Sequence, residues 1–217
     1  MKPAAPRAGV ARKGGPGGSG PHASHLPHEV RIIGGQWRGS RLPVADAAGL
    51  RPTPDRVRET LFNWLGQDLS GWRCLDAFAG TGALGFEAAS RGATQVLLVE
   101  RDRRLAEGLR QVKARLQAET VEVACAPAEA VWKGLAPASL DLVFLDPPYG
   151  RGLLGPALAA AARVVAPGGW AYVEDHQPLS EVPAPWALRR QGRAGMVHHH
   201  LLQRVPEAAD GCPPEPG

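Results

Sequence analysis

Between Arg73 and Glu174 the apolar residues gather in short continuous runs, at Arg73–Phe78, Thr94–Glu100, Val121–Cys125, Leu140–Asp146 and Gly169–Glu174. Runs of this length, rich in Val and Leu and without polar alternation, predict strands buried on both faces. The stretches between them, Ala83–Arg91, Arg103–Ala118, Ala128–Lys133 and Leu153–Val165, carry helical spacing. Strand and helix in strict alternation predict a parallel sheet covered by helices on both faces. Two further runs, Trp186–Gln191 and Met196–Arg204, are joined by Gly192–Gly195 and read as an antiparallel hairpin. The expected fold is α/β, an open, mostly parallel Rossmann-like sheet with an antiparallel C-terminal hairpin. Ligands of such sheets bind at the carboxyl ends of the strands, near the topological switch point.

Upstream the pattern differs. Val30–Leu42 alternates and turns at Gly34-Gly35, which predicts a two-stranded ribbon carrying Trp37, Arg38 and Arg41. A helix follows, with Thr53 as N-cap and Pro54 at its first position. Val57, Leu61, Trp64 and Leu65 form its apolar stripe, and Arg56 and Arg58 fall off that stripe. Trp64 and Trp72 are expected in the core. Residues 1–28 and 206–217, rich in Gly, Pro and Ala, cannot bury apolar area and are expected to be disordered. One domain over 29–205 remains, divided into ribbon and helix (29–66) and core (67–205).

A 217-residue chain with 44% hydrophobic residues can fill one such core. No apolar stretch approaches the roughly 20 residues that span a bilayer, and no signal-peptide core is present, so a cytoplasmic protein is expected. Of the three cysteines, Cys74 and Cys125 fall in strands and are expected buried and reduced; no metal or disulfide framework is expected. The net charge of +4 is unevenly spread. Residues 31–58 hold six arginines against Asp46 and Asp55, while residues 187–204 hold Arg189, Arg190, Arg193 and Arg204 with no acid. Basic charge at both ends of the folded region suits an anionic polymer, although solvated surface arginine gives the same pattern.

The chemistry lies at the strand ends. Asp146-Pro147-Pro148-Tyr149 follows the run Leu140–Leu145. The two prolines stiffen the turn, and Asp146 is pushed toward an extended conformation. A carboxylate, a backbone carbonyl and a ring face can there surround an exocyclic amino group of a nucleobase, without choosing which base. The first strand runs into Gly80-Thr81-Gly82-Ala83-Leu84-Gly85, a G-x-G-x-x-G loop before a helix. Glu100 ends the next strand, placed to accept from ribose hydroxyls. These features serve a nicotinamide dinucleotide or S-adenosylmethionine. Asp76 before the loop would hold an ammonium group and would oppose a pyrophosphate, and hydride transfer has no use for the Asp-Pro-Pro-Tyr turn. Together they favour a methyltransferase.

The span from Arg31 to about Arg204 resembles the RsmD family of bacterial small-subunit ribosomal RNA guanine-N2 methyltransferases. The resemblance rests on Arg31–Leu42, Arg51–Leu65, Asp76–Gly85, Glu87, Ser90–Ala93, Val99-Glu100, Asp146–Tyr149 and Tyr172–Glu174, in that order. It implies a class I methyltransferase fold and S-adenosylmethionine bound at Asp76, Phe78, Ala79, Gly80, Thr81, Gly82, Glu100, Arg101, Ala128 and Asp146. It also implies a catalytic turn of Asp146, Pro147, Pro148 and Tyr149. The implied target is guanine in a hairpin loop of 16S rRNA, within a small subunit or an assembly intermediate. One departure stands out: Ala126-Pro127-Ala128-Glu129 replaces the polar residue usually found beside the adenine. Arg38, Arg51, Arg56 and Arg58 are the candidates for RNA contact, and the enzyme is expected to act as a monomer without metal. His198-His199-His200 is expected on a polar edge strand. Alternatives are a DNA or other RNA amino-methyltransferase acting on adenine N6 or cytosine N4, a nicotinamide-dependent oxidoreductase, and a non-catalytic ribosome-binding protein.

Overall fold

The computed structural model describes residues 29–44 and 53–206. The expected disordered tails, apart from Pro206 itself, and Arg51 lie outside them.

Seven strands form the main sheet: β3 (Arg73–Asp76), β4 (Gln95–Glu100), β5 (Val121–Cys125), β6 (Leu140–Leu145), β7 (Val165–Asp175), β8 (Trp186–Ala194) and β9 (Val197–Arg204). Their order is β5-β4-β3-β6-β7-β9-β8, with β3 to β7 parallel and β9 antiparallel to both its neighbours. The helices are α1 (Asp55–Leu65), α2 (Ala83–Ser90), α3 (Arg103–Leu116), α4 (Ala128–Gly134) and α5 (Leu154–Val164). A separate ribbon pairs β1 (Glu29–Arg31) with β2 (Arg41–Pro43). No helix of the described residues is long and apolar enough to cross a membrane.

Two apolar layers sandwich the sheet. Phe62 of α1, Phe86 of α2 and Leu109 of α3 pack with Phe144 and Tyr172 on one face. On the other, Val143, Leu145 and Val173 pack with Trp132 of α4 and Leu158 of α5. Alternation along the strands therefore puts Asp76, Phe144 and Tyr172 in one row beneath α1, since Asp76 pairs with Phe144 and Phe144 with Tyr172.

The ribbon is shorter than its pattern suggested, and the span between its strands is held instead by α2. Glu87 is fully buried, and its carboxylate accepts from the backbone amides of Ile33 at 2.8 Å and Gly34 at 2.7 Å. The same carboxylate accepts from Arg58 at 3.2 Å and Arg91 at 2.9 Å. Gly35 has φ +73°, and a Cβ there would sit 1.8 Å from the Ser90 carbonyl oxygen, so the loop approaches α2 as only glycine allows.

Several expectations need correcting. Thr53 is not the N-cap of α1; Pro54 holds that place without a side-chain bond, and the Thr53 hydroxyl points elsewhere. Arg58, expected off the apolar stripe, is completely buried. Trp64 and Trp72 are only partly buried against the core. Cys125 is exposed at the end of the outermost strand β5, whereas Cys74 is buried as expected. The histidine strand is not an edge: β9 lies between β7 and β8, and His199 and His200 are buried.

Candidate active site

The switch point falls between β3 and β6, whose connections leave in opposite directions along the sheet. Asp76 ends β3 on one side of that crevice, and Asp146 follows β6 on the other. The glycine loop leads from β3 into α2. Gly82 has φ +76°, and a Cβ on it would lie 2.7 Å from Leu109 and Phe86, so the turn into the helix requires glycine.

Two of the expected cofactor residues brace this loop. Asp76 is buried, and its Oδ2 accepts from the Gly85 amide at 3.2 Å. Glu100 accepts from the Gly80 amide at 3.0 Å and, through its second oxygen, from the Asp102 amide at 2.8 Å. Asp102 in turn caps α3. Phe78 and Ala128 line a groove of about 490 Å³ between α4 and α5, together with Trp132 and Ala157. Arg101 is exposed, and Ala79 and Thr81 are buried in the loop.

In the Asp-Pro-Pro-Tyr turn Asp146 is half-buried, Pro147 buried, Pro148 exposed and Tyr149 exposed. The Tyr149 hydroxyl stands 3.5 Å from Asp146 Oδ1, at the limit of a hydrogen bond. Because Leu145 pairs with Val173, Asp146, just past the end of β6, comes next to Glu174 of β7, near enough for the Glu174 charge to act on it. Glu174 is buried, and its Oε1 accepts from Thr53 Oγ1 at 2.9 Å and Tyr172 OH at 2.8 Å.

Electrostatics single out these carboxyls. Burial pushes Asp76 up to about 7, helped by the charges of Glu100 and Glu174 and opposed by backbone amides. Asp146 is pushed well above the usual range, first by burial and then by Glu174 and Asp76. Glu174 is also raised by burial, against the pull of the Tyr172 and Thr53 hydroxyls and Arg58. Carboxyl groups that raise one another's pKa at a sheet's carboxyl edge form a site suited to cations. S-adenosylmethionine carries two, an ammonium and a sulfonium, so the donor set fits it.

The candidate RNA arginines divide. Arg38 and Arg56 are exposed, and Arg51 lies outside the described residues. Arg58 is withdrawn from the set, because its guanidinium is spent inside the protein on Glu87, Asp55, the Arg31 carbonyl and the Thr53 carbonyl. Arg189, Arg190 and Arg193 are exposed on β8, at the far edge of the sheet. No cluster of His, Cys, Asp and Glu suited to a metal occurs among the described residues.

Sequence reasoning missed two residues at the site. Glu174 was noted only within a family signature, and the register that sets it beside Asp146 has no local signal. His176, just beyond β7, lies against the Tyr149 ring with centroids 3.6 Å apart, and nothing in its flanking residues indicates this.

Known proteins resemble this chain in sequence and in fold. The family described as "Conserved hypothetical protein 95" matches residues 30–203. The ribosomal RNA small subunit methyltransferase D of Escherichia coli K12 is 45% identical over 186 residues, covering 81% of this chain and 90% of that one. The protein of that name from Haemophilus influenzae is 39% identical and covers 81% of this chain and 94% of its own. Among solved structures, yhhF of Escherichia coli, a candidate methyltransferase, superposes with a TM-score of 0.74 at 42% identity, over 82% of this chain and 98% of its own. A precorrin-6y C5,15-methyltransferase from Geobacter metallireducens, only 17% identical, shares the fold alone with a TM-score of 0.57. The architecture is thus that of a class I methyltransferase, and with this breadth of match the chain belongs to the RsmD family of ribosomal RNA small-subunit methyltransferases.

Proposed function

We propose that the protein methylates the exocyclic N2 of a guanine in a hairpin loop of 16S ribosomal RNA, with S-adenosylmethionine as donor. The observation that carries the reading is Asp146 at the switch point, neighboured by Asp76 across the crevice and backed by a rigid Pro-Pro turn. When bound, the cofactor supplies an electrophilic methyl group. Asp76, the loop Phe78–Gly82 and Glu100 would hold it, with Arg101 and Ala128 at the rim. The residues toward the base do the rest. An N2 lone pair is delocalised into the ring and is a weak nucleophile. The Asp146 carboxylate and the Pro147 carbonyl accept the two amino hydrogens, which localises the lone pair and aims it. Asp146 is then placed to take the proton that N2 loses as the new N–C bond forms. Much of the rate comes from orienting two reactants, since the methyl group arrives activated.

Tyr149 offers a ring face to the extruded base, and unstacking costs less in a loop than in a duplex. Arg38 and Arg56 would meet the phosphate backbone, within a small subunit or an assembly intermediate. The test is mass spectrometry of ribosomal RNA nucleosides from a strain lacking the gene, with re-addition of the purified protein to its small subunits. N2-methylguanosine is expected to vanish and return. Loss of N6-methyladenosine or N4-methylcytidine in its place would replace this reading.

A further inference from the structure

We infer that Glu174 accepts the ring N1–H of the target base, and that this second carboxylate makes the site select guanine. The inference rests on the guanine-N2 reading above and deepens it, since a single carboxylate at Asp146 engages an amino group on any base.

Position comes first. Leu145 pairs with Val173, which brings Asp146, just past the end of β6, next to Glu174 near the end of β7. Neighbouring strands run about 4.8 Å apart, so two carboxylates at one level can span adjacent groups on one edge of a base. Orientation comes next. Thr53 Oγ1 and Tyr172 OH both donate to Oε1 of Glu174, at 2.9 and 2.8 Å, which fixes a side chain that is only 3% exposed. Among the described residues no donor reaches Oε2. A carboxylate clamped through one oxygen keeps the second as an acceptor that a ligand N–H can meet.

The chemistry of the bases supplies the selection. Guanine presents N1–H directly beside its amino group, two donors in a row. Adenine presents a lone pair at N1 beside N6, and cytosine presents a lone pair at N3 beside N4. Against either, the Glu174 oxygen would face a lone pair, leaving two acceptors opposed and dry. The carboxylate pair therefore accepts guanine and rejects the bases that share its amino group. Burial raises Glu174 on balance, while the Tyr172 and Thr53 hydroxyls and Arg58 pull it back toward the ionised form, the form in which it accepts and does not donate.

A purely structural role, anchoring Thr53 to β7, makes a different prediction, and a base analogue separates the two. 2-Aminopurine keeps the 2-amino group but has a lone pair at N1. Small subunits reconstituted with guanine or 2-aminopurine at the target position serve as substrates for the wild type and Glu174→Gln. The wild type should prefer guanine by about 10- to 100-fold in kcat/KM, the span of one hydrogen bond to a charged group. Glu174→Gln, whose amide can donate to N1, should narrow or invert that preference. If the glutamine variant does not fold, Thr53→Val with Tyr172→Phe, which frees Oε1, should narrow it as well. Equal use of both bases by the wild type, or an unchanged preference in a folded variant, overturns the inference while leaving guanine-N2 methylation intact. A wild type that methylates adenine or cytosine and not guanine overturns the function itself, and this inference with it.

Discussion

The Tyr149 ring rests on the His176 imidazole, with ring centroids 3.6 Å apart and planes inclined by 45°. His176 Nδ1 lies 3.3 Å from the Met196 carbonyl oxygen, so the turn after β6 is braced through the end of β7 to the C-terminal hairpin. One face of Tyr149 is thereby occupied, and the base must use the other. Tyr149→Ala should raise the KM for small subunits by about 5- to 100-fold, the range of a base–aromatic stack worth about 1–3 kcal/mol. Tyr149→Phe should keep most of it. Steady-state kinetics with saturating S-adenosylmethionine would show both, and an unchanged KM in the alanine variant removes the stacking role.

Asp146→Ala should weaken S-adenosylmethionine binding far less than it slows methyl transfer, which should fall by at least about 100-fold because positioning and proton acceptance are lost together. Calorimetry and a tritium-transfer assay on one preparation separate the two quantities. Turnover near the wild-type value would disprove the assignment of the turn.

Asp76 titrates near 7 in the folded protein and near 3.8 when unfolded. The native state therefore binds more protons than the unfolded one between those values, and stability falls as pH rises through that window. This stability is fully present below about pH 3.8 and gone above about pH 7. Asp76→Asn, which keeps an acceptor for the Gly85 amide, should flatten the decline measured by thermal melts from pH 4.5 to 7.5. Cofactor binding in the wild type should also release protons in this window, visible as a buffer-dependent binding enthalpy.

Glu87→Ala leaves Arg58 and the amides of Ile33 and Gly34 without their shared acceptor. Breaking a fully buried ion pair from one side costs about 3–5 kcal/mol. Urea unfolding should show a loss of that size, and hydrogen exchange should show lost protection at Ile33 and Gly34. Arg58→Ala should behave alike, where an RNA-binding arginine would alter affinity and leave stability alone.

Arg38→Ala and Arg56→Ala should each weaken RNA binding several-fold without altering kcat, and each should lower the salt slope of binding by about 1. Filter binding across a salt series measures this. A double variant with the wild-type slope would move the RNA footprint to the arginines of β8.

The sheet and its helices were legible in the sequence because their information is local: β4, β5, β6, α2 and α4 lie within two residues of their apolar runs. The glycine loop and the Asp-Pro-Pro-Tyr turn are local too, and the fold brings them to one crevice. What escaped depends on distant partners. Arg58 looked like surface charge because Glu87 lies 29 residues away, and Thr53 looked like a cap because Glu174 lies 121 residues away. The histidine strand looked like an edge because a hairpin's second strand usually lies outermost, whereas here β9 returns inside β8. Cys125 looked buried because a single strand does not reveal its place in the sheet order.

Helix α2 starts at the glycine loop and at its fifth residue, Glu87, reaches the carboxylate that holds the ribbon. That is about 6 Å of rise. A foreign arm grafted in place of residues 29–44 would have to bring two amides to Glu87 or strand a charge beneath it. Retargeting such an enzyme by exchanging its N-terminal arm therefore means redesigning the helix that follows its glycine loop, so the two can only be re-engineered as one piece.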